Sequence, residues 1–74
     1  MKNETKDFLR EIGYRIRELR TERKWTQAQL ADACGLHRTF IGSVERGERN
    51  VAILSLRKIA KTLRVPVARL LDEK

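Results

Sequence analysis

Two short helical stretches punctuated by a single glycine constrain this chain more than any other feature. Thr26 and Gln29 stand three residues apart, with Trp25 before them and Leu30 after. That spacing marks a helix start: the Thr26 hydroxyl can accept from the Gln29 amide, the Gln29 side chain can reach back to the cap, and Trp25 can pack on Leu30 as a staple. The helix it opens must be short, because Gly35 follows Cys34 and offers the left-handed backbone that stops a helix. A second short helix then covers about His37 to Arg46, with Ile41 and Val44 as its inward pair and Gly47 at its end. Two helices joined by so tight a turn cannot lie antiparallel, so they cross steeply.

The rest of the chain supplies the scaffold for that pair. Phe8, Ile12, Ile16 and Leu19 recur at spacings of four, four and three, an amphipathic stripe from which Arg10, Arg15, Arg17 and Glu18 are excluded. This predicts a helix from near Asp7 to about Glu22, preceded by a frayed lead-in over residues 1–6. After a loop over Glu48 to Ala52, Leu56, Ile59, Ala60 and Leu63 repeat at three and four, so a fourth helix spans about Ile53 to Leu63 or Arg64. Pro66 is tolerated in a first helical turn, and a short fifth helix starting there carries Leu70 and Leu71. No strand pattern or repeat is present. The expected fold is all-α, one compact bundle of five helices over residues 1–74, and 74 residues can close only one hydrophobic core.

Composition then narrows the function. Seventeen Lys and Arg against ten Asp and Glu give a formal net charge of +7, and the pI lies near 10.3, a balance that favours polyanionic partners, nucleic acid first. Cys34 has no second cysteine to pair with, and no Cys/His cluster has zinc spacing. One His, no Gly-rich phosphate loop and no concentrated acidic ligands argue against an enzyme, a metal or another cofactor. No apolar run of spanning length and no signal-peptide pattern is seen, so a cytoplasmic protein without a membrane partner is expected.

The segment QAQLADACGLHRTFIGSVER, Gln27 to Arg46, resembles the helix-turn-helix domains of the lambdoid phage repressors and Cro. Leu30, Ala31, Cys34, Gly35, Leu36, Ile41 and Val44 fall where that motif wants small or apolar residues, and the likeness extends from about Leu9 to Leu71. LHRTFIGSVERGERN, Leu36 to Asn50, followed by a helix and a Val-Pro-Val segment, is further similar to the controller proteins of bacterial restriction-modification systems.

The resemblance implies a role for each matching residue. Arg38 and Thr39, in the first turn of the third helix, are the implied base readers; Arg offers a bidentate fork for guanine, and Thr a hydroxyl and a methyl that can meet thymine. Ser43, one turn further on, is a secondary reader, and the position of Arg49 is also used on bases in the controller proteins. Gln27 corresponds to a phosphate clamp, helped by the helix terminus. Arg46 and Asn50 flank the end of the reading helix within reach of the backbone, though Asn50 can equally shape the turn. His37 caps the helix or touches phosphate, a local structural role being the commoner use of a lone His. Phe40 stands where the controller proteins often have Tyr, which removes a hydroxyl and leaves packing or van der Waals contact. Arg20 and Glu45 match a partly buried ion pair and are assigned to architecture. Arg57, Lys58, Lys61 and Arg64 are by default a solvated face.

One short helix touches too few bases to select a site, since each bidentate contact contributes only about 1–3 kcal/mol of discrimination. A homodimer is therefore expected. Val65, Val67, Leu70 and Leu71 supply its two-fold interface in the resemblance, while the plainer alternative is that they close the bundle; some of both is expected. Such a dimer would bind an inverted repeat in double-stranded DNA and regulate transcription, with no small-molecule ligand and no further domain to sense one. Asp32 lies where some activators of the family present an acid to RNA polymerase, although a lone Asp more often only solubilises. Two readings from other classes remain: an antitoxin or other short repressor acting through protein contacts, and a basic amphipathic binder of RNA or membranes. The latter has no need of the small and apolar positions at Leu30, Ala31 and Gly35.

Overall fold

In the computed structural model, which describes residues 4–72, five helices follow one another: α1 (Glu4–Glu22), α2 (Gln27–Cys34), α3 (Arg38–Glu45), α4 (Ile53–Leu63) and α5 (Val67–Leu71). There is no strand among the described residues. Helix α1 packs against α3, α4 and α5, and α2 packs against α3 and α4. Ile16, Leu30, Ile41, Ile59, Leu63 and Leu70 are completely enclosed where these faces meet. No helix is long and apolar enough to cross a membrane among the described residues.

The helix ends follow the local chemistry read from the sequence, with one correction. Thr26 has an extended backbone, its hydroxyl accepts from the Gln29 amide at 3.1 Å, and the Gln29 side chain accepts from the Thr26 amide at 2.8 Å. Trp25 packs against the core beside it. Gly35 adopts φ 71°, ψ 31°, and its N–H donates to carbonyls of the last turn of α2. A Cβ added there would meet nothing within 4 Å, so backbone conformation and not space demands glycine. The correction concerns α1, which begins at Glu4 and not near Asp7. Glu4 and Asp7 complement the positive end of the helix, and Asp7 lies 3.8 Å from Arg10 one turn on. A turn held by charges has no apolar period, so pattern reading starts the helix too late. The remainder of the expected frayed lead-in, residues 1–3, lies outside the described residues.

Two long-range hydrogen bonds tie the later helices to α1 and to the turn that follows it. Arg15 donates to the carbonyl of Leu70 at 3.3 Å, and Arg23 donates to the carbonyls of Leu19 and Leu63. Both guanidinium groups sit at helix C-termini, where unpaired carbonyls and the negative end of the helix dipole favour a cation.

Candidate nucleic-acid interface

Helix α3 is seated on α1 by two features. The first is Gly13: a Cβ there would lie 2.3 Å from the carbonyl oxygen of Val44 and 2.6 Å from that of Glu45, so the two backbones touch with no room for a side chain. The second is a buried ion pair. Arg20 Nε donates to Glu45 Oε2 at 2.6 Å and a terminal nitrogen donates to Oε1 at 3.0 Å. The remaining terminal nitrogen donates to the Trp25 carbonyl at 2.7 Å. The side chains keep only 11% and 3% of their surface exposed, and the hydrogen bond to Glu45 holds the Arg20 guanidinium above its ordinary pKa against the opposing effect of burial. No buried side-chain nitrogen or oxygen among the described residues lacks a partner. A bidentate pair so completely satisfied fixes the angle of α3 rather than merely adding attraction.

Gln27 extends this network to the surface. From the first turn of α2 its amide nitrogen donates to Glu45 Oε1 at 3.0 Å, and its oxygen hangs over Gly42, 3.3 Å from where a Cβ would be. Gln27, Arg38, Thr39, Gly42 and Arg46 together line a shallow polar cleft. Arg38 and Thr39 are exposed at the head of α3. On the other side of the same ridge, Arg49 folds back over α3: its Cζ lies 5.1 Å from the centroid of the Phe40 ring, and its Nε donates to the Ser43 hydroxyl at 3.2 Å.

The structure sorts the residues implicated by sequence. Gln27, Arg38, Thr39 and Arg46 come together in the cleft, while Phe40, Ser43 and Arg49 form a second group along α3. His37 occupies the N-cap of α3 without a side-chain cap hydrogen bond, so its side chain is exposed and does not cap. Arg46 is exposed and paired with Glu48 at 3.0 Å. Asn50 is exposed in the loop after the helix. At the other end of the bundle, Leu70 is 0% exposed, so its side chain belongs to the core and not to a surface. Val65, Val67 and Leu71 are half-buried against that core. Asp32 is exposed on α2. Sequence reasoning missed Gly13, which reads as an ordinary helix glycine until the partner backbone is in place, and Glu48, whose pairing with Arg46 leaves no trace in the pattern.

Two short helices joined by a glycine turn, with the second exposing a polar edge and seated on a preceding helix, form a known arrangement. The family model described as Helix-turn-helix matches residues 16–70. The chain belongs to the helix-turn-helix family. This helix-turn-helix protein is 47% identical over 60 residues to Control protein C.SmaI of Serratia marcescens, a match covering 81% of this chain and 71% of that one. Its fold is similar to the crystal structure of the restriction-modification controller protein C.AhdI from Aeromonas hydrophila, with a TM-score of 0.81 at 42% identity, covering 84% of this chain and 94% of the other. It is similar also to the biofilm master regulator SinR, whose structure is a complex with DNA, with a TM-score of 0.79 at 35% identity, covering 82% and 98% of the two chains.

Proposed function

We propose that this protein is a sequence-specific regulator of transcription that binds double-stranded DNA as a homodimer and controls a restriction-modification system. The observation that carries the reading is the edge of α3: Arg38 and Thr39 stand exposed on a helix whose angle is fixed from behind by the Arg20–Glu45 pair. Base readout needs such a helix, since a bidentate contact to guanine tolerates little error in position. Gln27, at the N-terminus of α2, and Arg46 flank the edge where phosphates would pass. The likeness to C.SmaI and C.AhdI supports the narrower assignment to restriction control, and the SinR complex supports DNA as the ligand.

Dimerisation would use the α5 end of the bundle. Val65, Val67 and Leu71 are the apolar side chains available there, while Leu70 beneath them closes the core. A two-fold dimer would place its reading helices in successive major grooves, about 34 Å apart, on an inverted repeat. Asp32, on the outer side of α2, is then a surface that RNA polymerase can meet.

Selection of bound sites from random duplexes tests this reading. The wild-type protein should enrich an inverted repeat, and Arg38→Ala should lose preference at one position in each half-site. A loss of affinity that is uniform over all sequences would refute Arg38 as a reader.

A further inference from the structure

We propose that Phe40 and Ser43 are positioning residues for Arg49, which they hold as a second, preset reading arm beside Arg38 and Thr39; this rests on the reading of α3 as a DNA-reading helix. Arg49 lies outside α3, in the loop that follows Gly47, and a long side chain on a loop is ordinarily poorly placed for base recognition. Two contacts change that. The guanidinium lies over the Phe40 ring at 5.1 Å from its centroid, within the range where the negative face of an aromatic ring attracts a cation. Its Nε donates to the Ser43 hydroxyl, one helical turn further along α3. The ring face and the hydrogen bond thus restrain the guanidinium at two points.

The hydrogen-bond inventory separates the roles. A serine hydroxyl has one donor, and Ser43 directs its own to the Phe40 carbonyl at 2.8 Å while accepting from Arg49. Ser43 has no proton left to offer a base acceptor. Arg49, by contrast, uses one of its five N–H groups on Ser43. Its two terminal nitrogens make no hydrogen bond or ion pair within the described residues, which leaves them free for the paired acceptors of a guanine edge. Phe40 in turn gives the arm its shelf, a function for which the ring suffices and a tyrosine hydroxyl is not needed.

The test combines Phe40→Leu, Phe40→Tyr, Ser43→Ala and Arg49→Ala. In the free protein, NMR of the Arg49 Nε–H group should show its resonance displaced in Phe40→Leu and its solvent exchange accelerated in Ser43→Ala, with Phe40→Tyr like wild type. On the selected operator, Phe40→Leu and Ser43→Ala should each bind roughly two- to fivefold more weakly. Each should also lose preference at the base position that Arg49→Ala loses, and each should be silent in the Arg49→Ala background. Because Phe40 also packs against the core, Ser43→Ala serves as the variant that cannot act through stability of that packing. An unchanged Arg49 resonance and exchange in both variants, or additive effects with Arg49→Ala, would overturn the proposal. If the wild-type protein enriches no site, the DNA reading fails instead, and the NMR result still decides whether Phe40 and Ser43 hold Arg49.

Discussion

Replacing Gly13 by Ala should destabilise the protein although the position lies inside a helix, where that change is ordinarily favourable. In an unobstructed helix interior, alanine is preferred to glycine by about 1 kcal/mol. Here the new methyl would arrive 2.3 Å from the Val44 carbonyl oxygen and 2.6 Å from that of Glu45, more than an ångström inside ordinary contact for the first. The obstacle is backbone, on a helix tied to α1 two turns further along by the Arg20–Glu45 fork, so no side chain can swing aside. Overpacking of this kind costs about 1–3 kcal/mol, occasionally more, and displacing α3 also loosens the fork. With the helix preference subtracted and the loosened fork added, a net loss of about 1–2 kcal/mol follows, which in a domain of this size lowers the melting temperature by about 4–16 °C. Gly42→Ala provides the contrast. Its methyl would meet the ends of two flexible side chains, a guanidinium nitrogen of Arg46 at 3.2 Å and the amide oxygen of Gln27 at 3.3 Å. Helix preference should win there, raising stability by about 0.5–1 kcal/mol, while DNA affinity falls because both displaced groups belong to the proposed phosphate-binding cleft. Thermal unfolding followed by circular dichroism, with operator binding on the same samples, measures both. A Gly13→Ala protein melting at or above wild type would show that α1 and α3 do not touch backbone to backbone.

Glu45→Ala should cost about 3–5 kcal/mol, because it leaves the Arg20 cation buried without its carboxylate; replacing both members by methionine should recover most of that loss in urea denaturation. Burial pushes the Cys34 thiol above its ordinary value of 9.0, outweighing the opposing effects of backbone hydrogen bonds and Lys58. The folded state then retains a proton that the unfolded chain gives up. This contribution to stability is fully present below the ordinary thiol value and is lost as pH rises through the folded one, at no more than about 1.4 kcal/mol per pH unit. Wild type should therefore lose stability faster than Cys34→Ala from about pH 9 upward, and parallel curves would contradict that assignment.

What could be seen in advance divides along a physical line. The α2 start, the Gly35 turn, the inward pair Ile41 and Val44, and the span of α4 are set by interactions within a few residues, so Thr26, Gln29 and the apolar spacing reveal them. The role of Gly13 depends on a backbone thirty residues away. A longer separation, 55 residues, hides the anchoring of α5 through Arg15, a residue that sequence places on the polar side of its helix. The Arg20–Glu45 pair was visible only through resemblance to a family, since nothing local joins positions 25 residues apart. At the candidate site, resemblance points to Arg38 and Thr39 and makes Ser43 a secondary reader, whereas the contacts of Ser43 and Phe40 with Arg49 depend on how the loop folds back and leave no mark in the sequence. Of the four apolar residues expected to serve interface and core alike, Leu70 goes wholly to the core, because an apolar side chain in a short helix suits either role equally well.

The bonds from α1 to the C-terminal part of the chain bear on how the protein is made. Arg15 waits for the Leu70 carbonyl, 55 residues later, and Arg23 for Leu63, 40 residues later. Helix α1 is thus partnered by α5, and the space that Leu70 fills stays open until that part of the chain has been made. Helix α3 takes its orientation from Gly13 and the Arg20–Glu45 pair, both complete before Leu70 is made. A nascent α1 can therefore seat α3 first and be secured against α4 and α5 afterwards.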